Sequence, residues 1–384
     1  MKLLFLAERF FPDLGGVSHS ATRLVHSFLK LNMEVDVVVW SRFLPPGEIV
    51  KDLPEISQKN LNIYRVGLYK NWDLTMINTL NLLESLKQES DYNLIWGHYL
   101  FPAGFLAVWF GKLNKIKTVI SARGNDVDRG IFPPGDFARL QWTLQQADLI
   151  TSVSEDLAKK INLVSLRNDI LVIKNAVNTE IFKPSLSEVE KLSLKQKLGI
   201  ENDAIILGFS GELREKKGQT FLLQMFSKVR EKYQNICLLI IGEVRNTQEA
   251  ILQNYEVQFP EDYQHIIITG NLEESQKVAH YLQLCDLFLL PSIWEGLPNS
   301  LLEAMACECC CLASDAGGIP EVINHGLNGF IIPRQQLNFL ADAVLEFIDL
   351  EQEIKYQISQ EARKTILKDF SLETELLRLE KILF

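Results

Sequence analysis

The chain has 384 residues, 47% hydrophobic and 23% charged, with a net charge of −10. That length exceeds one ordinary core and points to two domains, and no apolar run reaches the roughly 20 residues that a membrane span needs. The acidity lies in residues 184–384 (18 basic against 30 acidic residues, versus 21 against 19 in residues 1–183), which excludes general nucleic-acid binding.

MKLLFLAERF starts the chain. Its apolar run is only Leu3 to Ala7 before Glu8 and Arg9, so it reads as a first strand rather than a signal peptide. A cytoplasmic protein is expected, and the near-neutral first half is compatible with peripheral contact at the inner membrane face. Strand candidates follow at 35–40, 62–66, 94–97, 118–122, 149–153 and 170–174, with helical stretches between most of them. After a lapse near 180–200, around Phe182-Lys183-Pro184-Ser185, the rhythm resumes at 204–210, 236–242, 265–270, 287–292, 311–314 and 329–333. Residues from about 352 to the end read as helix with no further strand. Alternating short apolar and longer amphipathic runs predict parallel sheets covered on both faces. The expected fold is α/β, with two doubly wound Rossmann-like domains at 1–184 and 185–384 facing a central cleft, and terminal helices with room to pack back on the first domain. In such sheets ligands bind beyond the carboxyl ends of the strands.

The motifs sit at those ends. After the first strand, Gly15-Gly16 precedes a helix expected near Val17, where bare backbone can approach a phosphate; an ordinary glycine turn looks the same. His98 ends the strand at 94–97, either as a group facing the cleft or as a satisfied core histidine. Asp126-Val127-Asp128 matches a DxD metal triplet, but a polar shell of Arg123 and Asp126 lining the cleft fits better. Gly211 and Gly218 flank a basic turn with Arg214, Lys216 and Lys217, suited to a diphosphate or simply solvated. After 287–292 comes EGLPNSLLEAM, with Glu295 before a helix start, Pro298 in its first turn and Glu303 buried among Leu301, Leu302, Ala304 and Met305. N–H groups near Asn299 and Ser300 can hold an anion, and the two carboxylates can accept from hydroxyls on either side of it. Gly317-Gly318 adds a second tight approach before Glu321. CECCC at 307–311 lacks paired CxxC spacing, so its thiols read as small buried apolar groups in a reducing compartment, not metal ligands.

The order P-S-x-x-E-G-x-P-N-S-L-L-E-A-M-A, then G-G-x-P-E-x-I-x-x-G-x-N-G, resembles the retaining nucleotide-sugar glycosyltransferases of family four, which have the GT-B fold. SVSEDLAKK, VIKNAVNTEIFKP and GELREKKG resemble further blocks of that family, in its order, over nearly the whole chain. The resemblance implies transfer of a hexosyl-type group from a nucleoside diphosphate sugar to a hydroxyl of a glycan, lipid-linked sugar or small molecule, with no cofactor and no metal. Together with the basic turn and the helix start described above, it gives an expected donor site of Gly16, Arg214, Lys217, Glu295, Gly296, Leu297, Asn299, Ser300 and Glu303. Glu295 would meet the sugar hydroxyls, Glu303 the ribose, Lys217 and Gly16 the diphosphate. His98, Glu295 and Lys217 would be the catalytic set, and replacing His98 would cost turnover rather than stability. Glu212 departs from the pattern, standing where the family has Arg. Arg214 is expected to substitute for it, with Glu212 orienting that side chain or a donor hydroxyl. NAVN at 175–178 and CECCC depart from it too. A nucleotide-sugar epimerase or hydrolase, and a non-catalytic sugar-nucleotide binding protein, are the competing readings.

Overall fold

The computed structural model describes residues 1–13, 15–52, 60–245 and 248–384, and it divides into two compact units. The first holds Met1–Asn175 and Glu375–Phe384; the second is Ala176–Thr374.

The first unit is built on an eight-stranded sheet of β1 (Lys2–Ala7), β2 (Glu34–Ser41), β3 (Ile49–Lys51), β4 (Leu61–Gly67), β5 (Leu94–His98), β6 (Lys117–Ala122), β7 (Leu149–Ser152) and β8 (Ile170–Val172). Its order is β3-β4-β2-β1-β5-β6-β7-β8, and all neighbours are parallel except β3 on β4. Side chains alternate across a strand, so β1 feeds two cores. Leu3 and Phe5 pack with Val35, Val37, Trp96 and the helix Gly16–Lys30, through Leu24, Val25 and Phe28. Leu4 and Leu6 pack on the other face with Val38, Trp40, Ile95 and the helices Trp72–Glu89 and Phe105–Asn114. The last helix, Leu372–Leu383, adds Leu379, Ile382 and Leu383 to the first of these cores. β3 escapes sequence reading because three residues at an antiparallel edge carry no usable alternation.

The second unit holds β9 (Ile205–Ser210), β10 (Ile236–Ile241), β11 (Ile266–Ile268), β12 (Leu287–Leu290), β13 (Cys310–Ser314) and β14 (Phe330–Ile332). They form an all-parallel sheet in the order β11-β10-β9-β12-β13-β14. Renumbered within the unit, that is 3-2-1-4-5-6, the doubly wound order, and the direction of winding reverses between β9 and β12. No helix among the described residues is long and apolar enough to cross a membrane.

Candidate functional site

Beyond β9 the chain stays extended and runs beside the segment that follows β10. Gly211 N–H donates to the Ile241 carbonyl and Leu213 N–H to that of Glu243, each at 2.9 Å, and Arg245 N–H donates to that of Leu213 at 3.3 Å. The two segments lie so close that a side chain on Gly242, whose φ is 144°, would collide with the Gly211 carbonyl. This ladder sets Glu212 beside Arg245. The Arg245 guanidinium grips the Glu212 carboxylate with both arms, Nε to Oε1 at 2.7 Å and Nη2 to Oε2 at 2.9 Å. Arg214, itself in extended backbone, brings Nη1 to 3.3 Å from Glu212 Oε2. Residues 212 and 214 therefore share a face, as period-two alternation requires.

A single 3-10 turn, Glu215–Lys217, then leads into the helix Gln219–Lys232. The turn aims Lys217 at the loop after β12, where its ammonium forms an ion pair with Glu295. Ser292 Oγ donates to the same carboxylate oxygen at 2.8 Å, and Ile293 N–H ties the two loops together by donating to the Lys216 carbonyl at 2.8 Å. Glu295 is only 7% exposed and Lys217 14%. Burial pushes the Glu295 carboxyl up, but the charges of Lys217 and Lys216 and the bonds from Lys217 and Ser292 outweigh it and leave it below its ordinary value. Gly317 explains itself here, since at φ 55° a side chain on it would strike the Glu295 carbonyl. The neighbouring Gly318 N–H donates to the Gly296 carbonyl at 2.7 Å. The second glycine pair thus approaches the protein's own Glu295-Gly296 backbone.

The helix Asn299–Ala306 starts immediately after this loop. Pro298 stands just before the helix rather than in its first turn, and no side chain caps the end. The first N–H groups of such a helix have no intrahelical acceptor and carry the positive end of its dipole. The Asn299 Oδ1 atom is buried without a hydrogen-bond partner, beside half-buried Ser300. Leu297, Leu301, Leu302, Ala304 and Met305 are buried. Glu303 is not: it is half-buried, because the helix turns its position between those of Leu302 and Ala304 away from the core. All six cysteines are free and buried. Burial pushes the Cys310 thiol up to about 11 and that of Cys309 well above its ordinary value, so neither is a ready nucleophile. Among the described residues no cluster of His, Cys, Asp and Glu could hold a metal ion.

In the first unit Gly16 is exposed at the start of the helix Gly16–Lys30, after Gly15 at φ 106°. His98 ends β5 beside Ala7 and Ser121, and its ring is fully buried, stacked on Phe5 at 5.7 Å. Its Nε2 lies 2.9 Å from Ser20 Oγ, which in turn donates to the Val17 carbonyl at 2.9 Å. With the hydroxyl proton spent on Val17, Nε2 must be the donor. Nδ1 then carries the lone pair and faces no partner. Burial first, then the charges of Arg123 and Arg23, hold this histidine well below its ordinary value, so it is neutral. Arg123 binds the Asn175 side-chain oxygen and lies 3.4 Å from Ser121 Oγ, and burial pulls it down to about 9. Asp126, 7% exposed, accepts from the backbone N–H groups of Leu100 (3.1 Å), Arg123 (3.0 Å) and Gly124 (2.8 Å). Burial nevertheless raises it to about 6. Asp128 pairs with Lys160 at 3.3 Å. The DxD carboxylates thus tie loops and a helix together.

The structure brings Arg214, Lys217, Glu295, Gly296, Leu297, Asn299, Ser300 and Glu303 into the loops and helix that follow β9 and β12. Gly16, His98, Arg123 and Asp126 belong to the first unit. Sequence reading missed Arg245, Ser292 and Ser20. It also missed Arg23, which holds Glu375 of the last helix through Nε at 3.1 Å to both carboxylate oxygens. Arg245 had a readable signal, since it follows Gly242 just past a strand end. Ser292 had one too, standing three residues before Glu295, whereas Ser20 and Arg23 depend on contacts distant in sequence.

Comparison with known proteins follows the same division. The family described as Glycosyltransferase Family 4 matches residues 14–181, and that described as Glycosyl transferases group 1 matches residues 190–365. The chain is 24% identical over 382 residues to N-acetyl-alpha-D-glucosaminyl L-malate synthase of Bacillus anthracis, covering 97% of this chain and 95% of that protein. It is 22% identical to a GDP-mannose-dependent monoacylated alpha-(1-6)-phosphatidylinositol monomannoside mannosyltransferase of Corynebacterium glutamicum, covering 91% and 89%. Among solved structures, Anabaena HepE in complex with UDP-glucose superposes with a TM-score of 0.81 at 18% identity, over 100% of this chain and 99% of that one. Sucrose-phosphate synthase of Thermosynechococcus elongatus gives 0.79 at 16%, over 100% and 98%. The fold is of the GT-B type.

Proposed function

We propose that this chain, which belongs to the family-four glycosyltransferases, moves a hexosyl group from a nucleoside diphosphate sugar to an acceptor hydroxyl with retention at the anomeric carbon and without a metal. One observation carries the reading. A buried Lys217–Glu295 pair sits beside an uncapped helix N-terminus, past the carboxyl ends of β9 and β12, where the winding of the sheet reverses.

That arrangement suits an ester of a diphosphate. Transfer breaks the bond between the anomeric carbon and the diphosphate oxygen and forms one to the acceptor oxygen. Positive charge develops on the sugar and negative charge on the leaving group. Lys217, Arg214 and the helix N–H groups would stabilise the leaving diphosphate, in positions fixed before it forms. Glu295, held ionised, would accept from sugar hydroxyls through the oxygen that Lys217 and Ser292 leave free. Glu303, half-buried on the same helix, would take the ribose hydroxyls. From the first unit, Gly16 would serve diphosphate binding, His98 the transfer step, and Arg123 and Asp126 the polar shell. GDP-mannose, in the name of the Corynebacterium relative, and UDP-glucose, in complex with Anabaena HepE, are hexosyl nucleotides with different bases. The acceptor would be a small molecule, a glycan or a lipid-linked sugar, and contact with a membrane surface goes with the last.

The test is a thermal-shift panel of UDP-, GDP- and ADP-sugars. A donor at 100 times its Kd adds about 2.7 kcal/mol of stability. The donor found is then incubated with acceptors and the anomeric configuration of the product read by NMR. An inverted product would overturn retention. Binding without turnover on any acceptor would favour a non-catalytic binding protein, and epimer formed without acceptor would favour an isomerase.

A further inference from the structure

We infer that Arg245, clamped by Glu212, is a further cation for the donor's diphosphate, and that Glu212 is its positioning residue. The inference rests on the donor-site reading above. Arg245 reaches this place through the ladder between residues 211–213 and 242–245, so its backbone register is set rather than loose. Its guanidinium spends Nε and Nη2 on the carboxylate, and Nη1 has no partner among the described residues. A planar fork held along one edge presents its remaining N–H groups in a set direction, which a lysine could not do.

Stability does not account for the pair. The side chains are 43% and 30% exposed, and ion pairs so exposed contribute little to folding. Charge does not make Glu212 a repellent either. Its carboxylate already touches two guanidinium groups, Arg245 and Arg214, so the triad is positive overall. Glu212 and Arg214 stand in the same loop as Lys217, past the carboxyl end of β9, and Arg245 stands past that of β10. An oriented guanidinium edge in a net positive cluster fits a phosphate oxygen, and in this reading the phosphate is the nucleoside diphosphate's.

The experiment is calorimetry of wild type, Arg245→Ala, Arg245→Lys, Glu212→Gln and the Arg245→Ala/Glu212→Gln double variant. Each is titrated with UDP, GDP and ADP and with the corresponding nucleosides. For the diphosphate that binds, Arg245→Ala should lose about tenfold or more in affinity, the scale of one charge-assisted hydrogen bond, with nucleoside binding and melting temperature unchanged. Arg245→Lys should recover only part of it. Glu212→Gln discriminates by sign. Removing a negative charge near a bound anion should tighten binding if Glu212 merely repels, whereas loss of the clamp should weaken it. We expect weakening, and a double variant no worse than Arg245→Ala. Tighter binding in Glu212→Gln, an unchanged Arg245→Ala, or equal losses for nucleoside and diphosphate would each overturn the inference. If wild type bound none of the diphosphates, the donor-site reading would fail and this inference with it. Wild-type binding with an indifferent Arg245→Ala would sink the inference alone.

Discussion

Deleting Lys217 would strand the Glu295 carboxylate where water barely reaches it. Glu295 is 7% exposed, and its other supports are the Ser292 hydroxyl at 2.8 Å and the charge of Lys216. Removing one partner of a buried ion pair costs about 3–5 kcal/mol, because the charge left behind is uncompensated. With Ser292 and Lys216 retained, Lys217→Ala should fall at the low end, about 3 kcal/mol. Glu295→Ala should cost less, about 1–2 kcal/mol, because the Lys217 ammonium rides on a flexible stem and can turn to solvent. The double variant Lys217→Ala/Glu295→Ala buries no charge, so it should be more stable than Lys217→Ala alone, a coupling of about 1–3 kcal/mol. The assay is urea unfolding by circular dichroism, with the two units fitted as separate transitions. Acid provides an internal control. Glu295 is held below its ordinary value of 4.5, so the pair's stabilisation is present above pH 4.5 and lost as pH falls through the lowered folded value. The gap between wild type and Lys217→Ala should therefore close in acid. A Lys217→Ala loss no larger than that of Glu295→Ala, or singles that simply add, would refute this account of the pair.

Glu303→Ala should weaken binding of the donor's nucleoside diphosphate by about 1–3 kcal/mol with little change in melting temperature, since the side chain is half-buried; unchanged affinity in calorimetry would remove the ribose role. His98→Ala should lower the melting temperature, contrary to what the family resemblance implies. It empties a fully buried site stacked on Phe5, where truncating an aromatic ring costs about 3–5 kcal/mol. Because burial holds His98 below its ordinary 6.5, wild type should lose stability as pH falls below 6.5, by up to about 1.4 kcal/mol per pH unit, and a variant lacking His98 should show a shallower slope. Transfer should persist in chelator; loss restored by magnesium or manganese would return Asp126 and Asp128 to consideration.

Local pattern carried the strands, because an apolar run bounded by turn residues is strong wherever both faces of a parallel strand are covered. All thirteen sequence-predicted runs begin at, or within one residue of, the start of an observed strand. Motif order carried the family, since the spacing from Glu295 to Glu303 and the glycine pairs are properties of the chain itself. The states of the site residues lay beyond reach of sequence. Whether Glu303 or Glu295 is the buried carboxylate depends on which face the helix turns to the core and on a lysine 78 residues away. His98 at a strand end could be exposed or enclosed, and only the packing of Phe5 and Ser20 around it decided that its ring is buried. Glu212 looked like a lost cation because its partner, Arg245, is 33 residues further on. Parallel pairing of β9 with β10 brings such distant positions together, and charge pairing is set by that proximity in space rather than by distance along the chain.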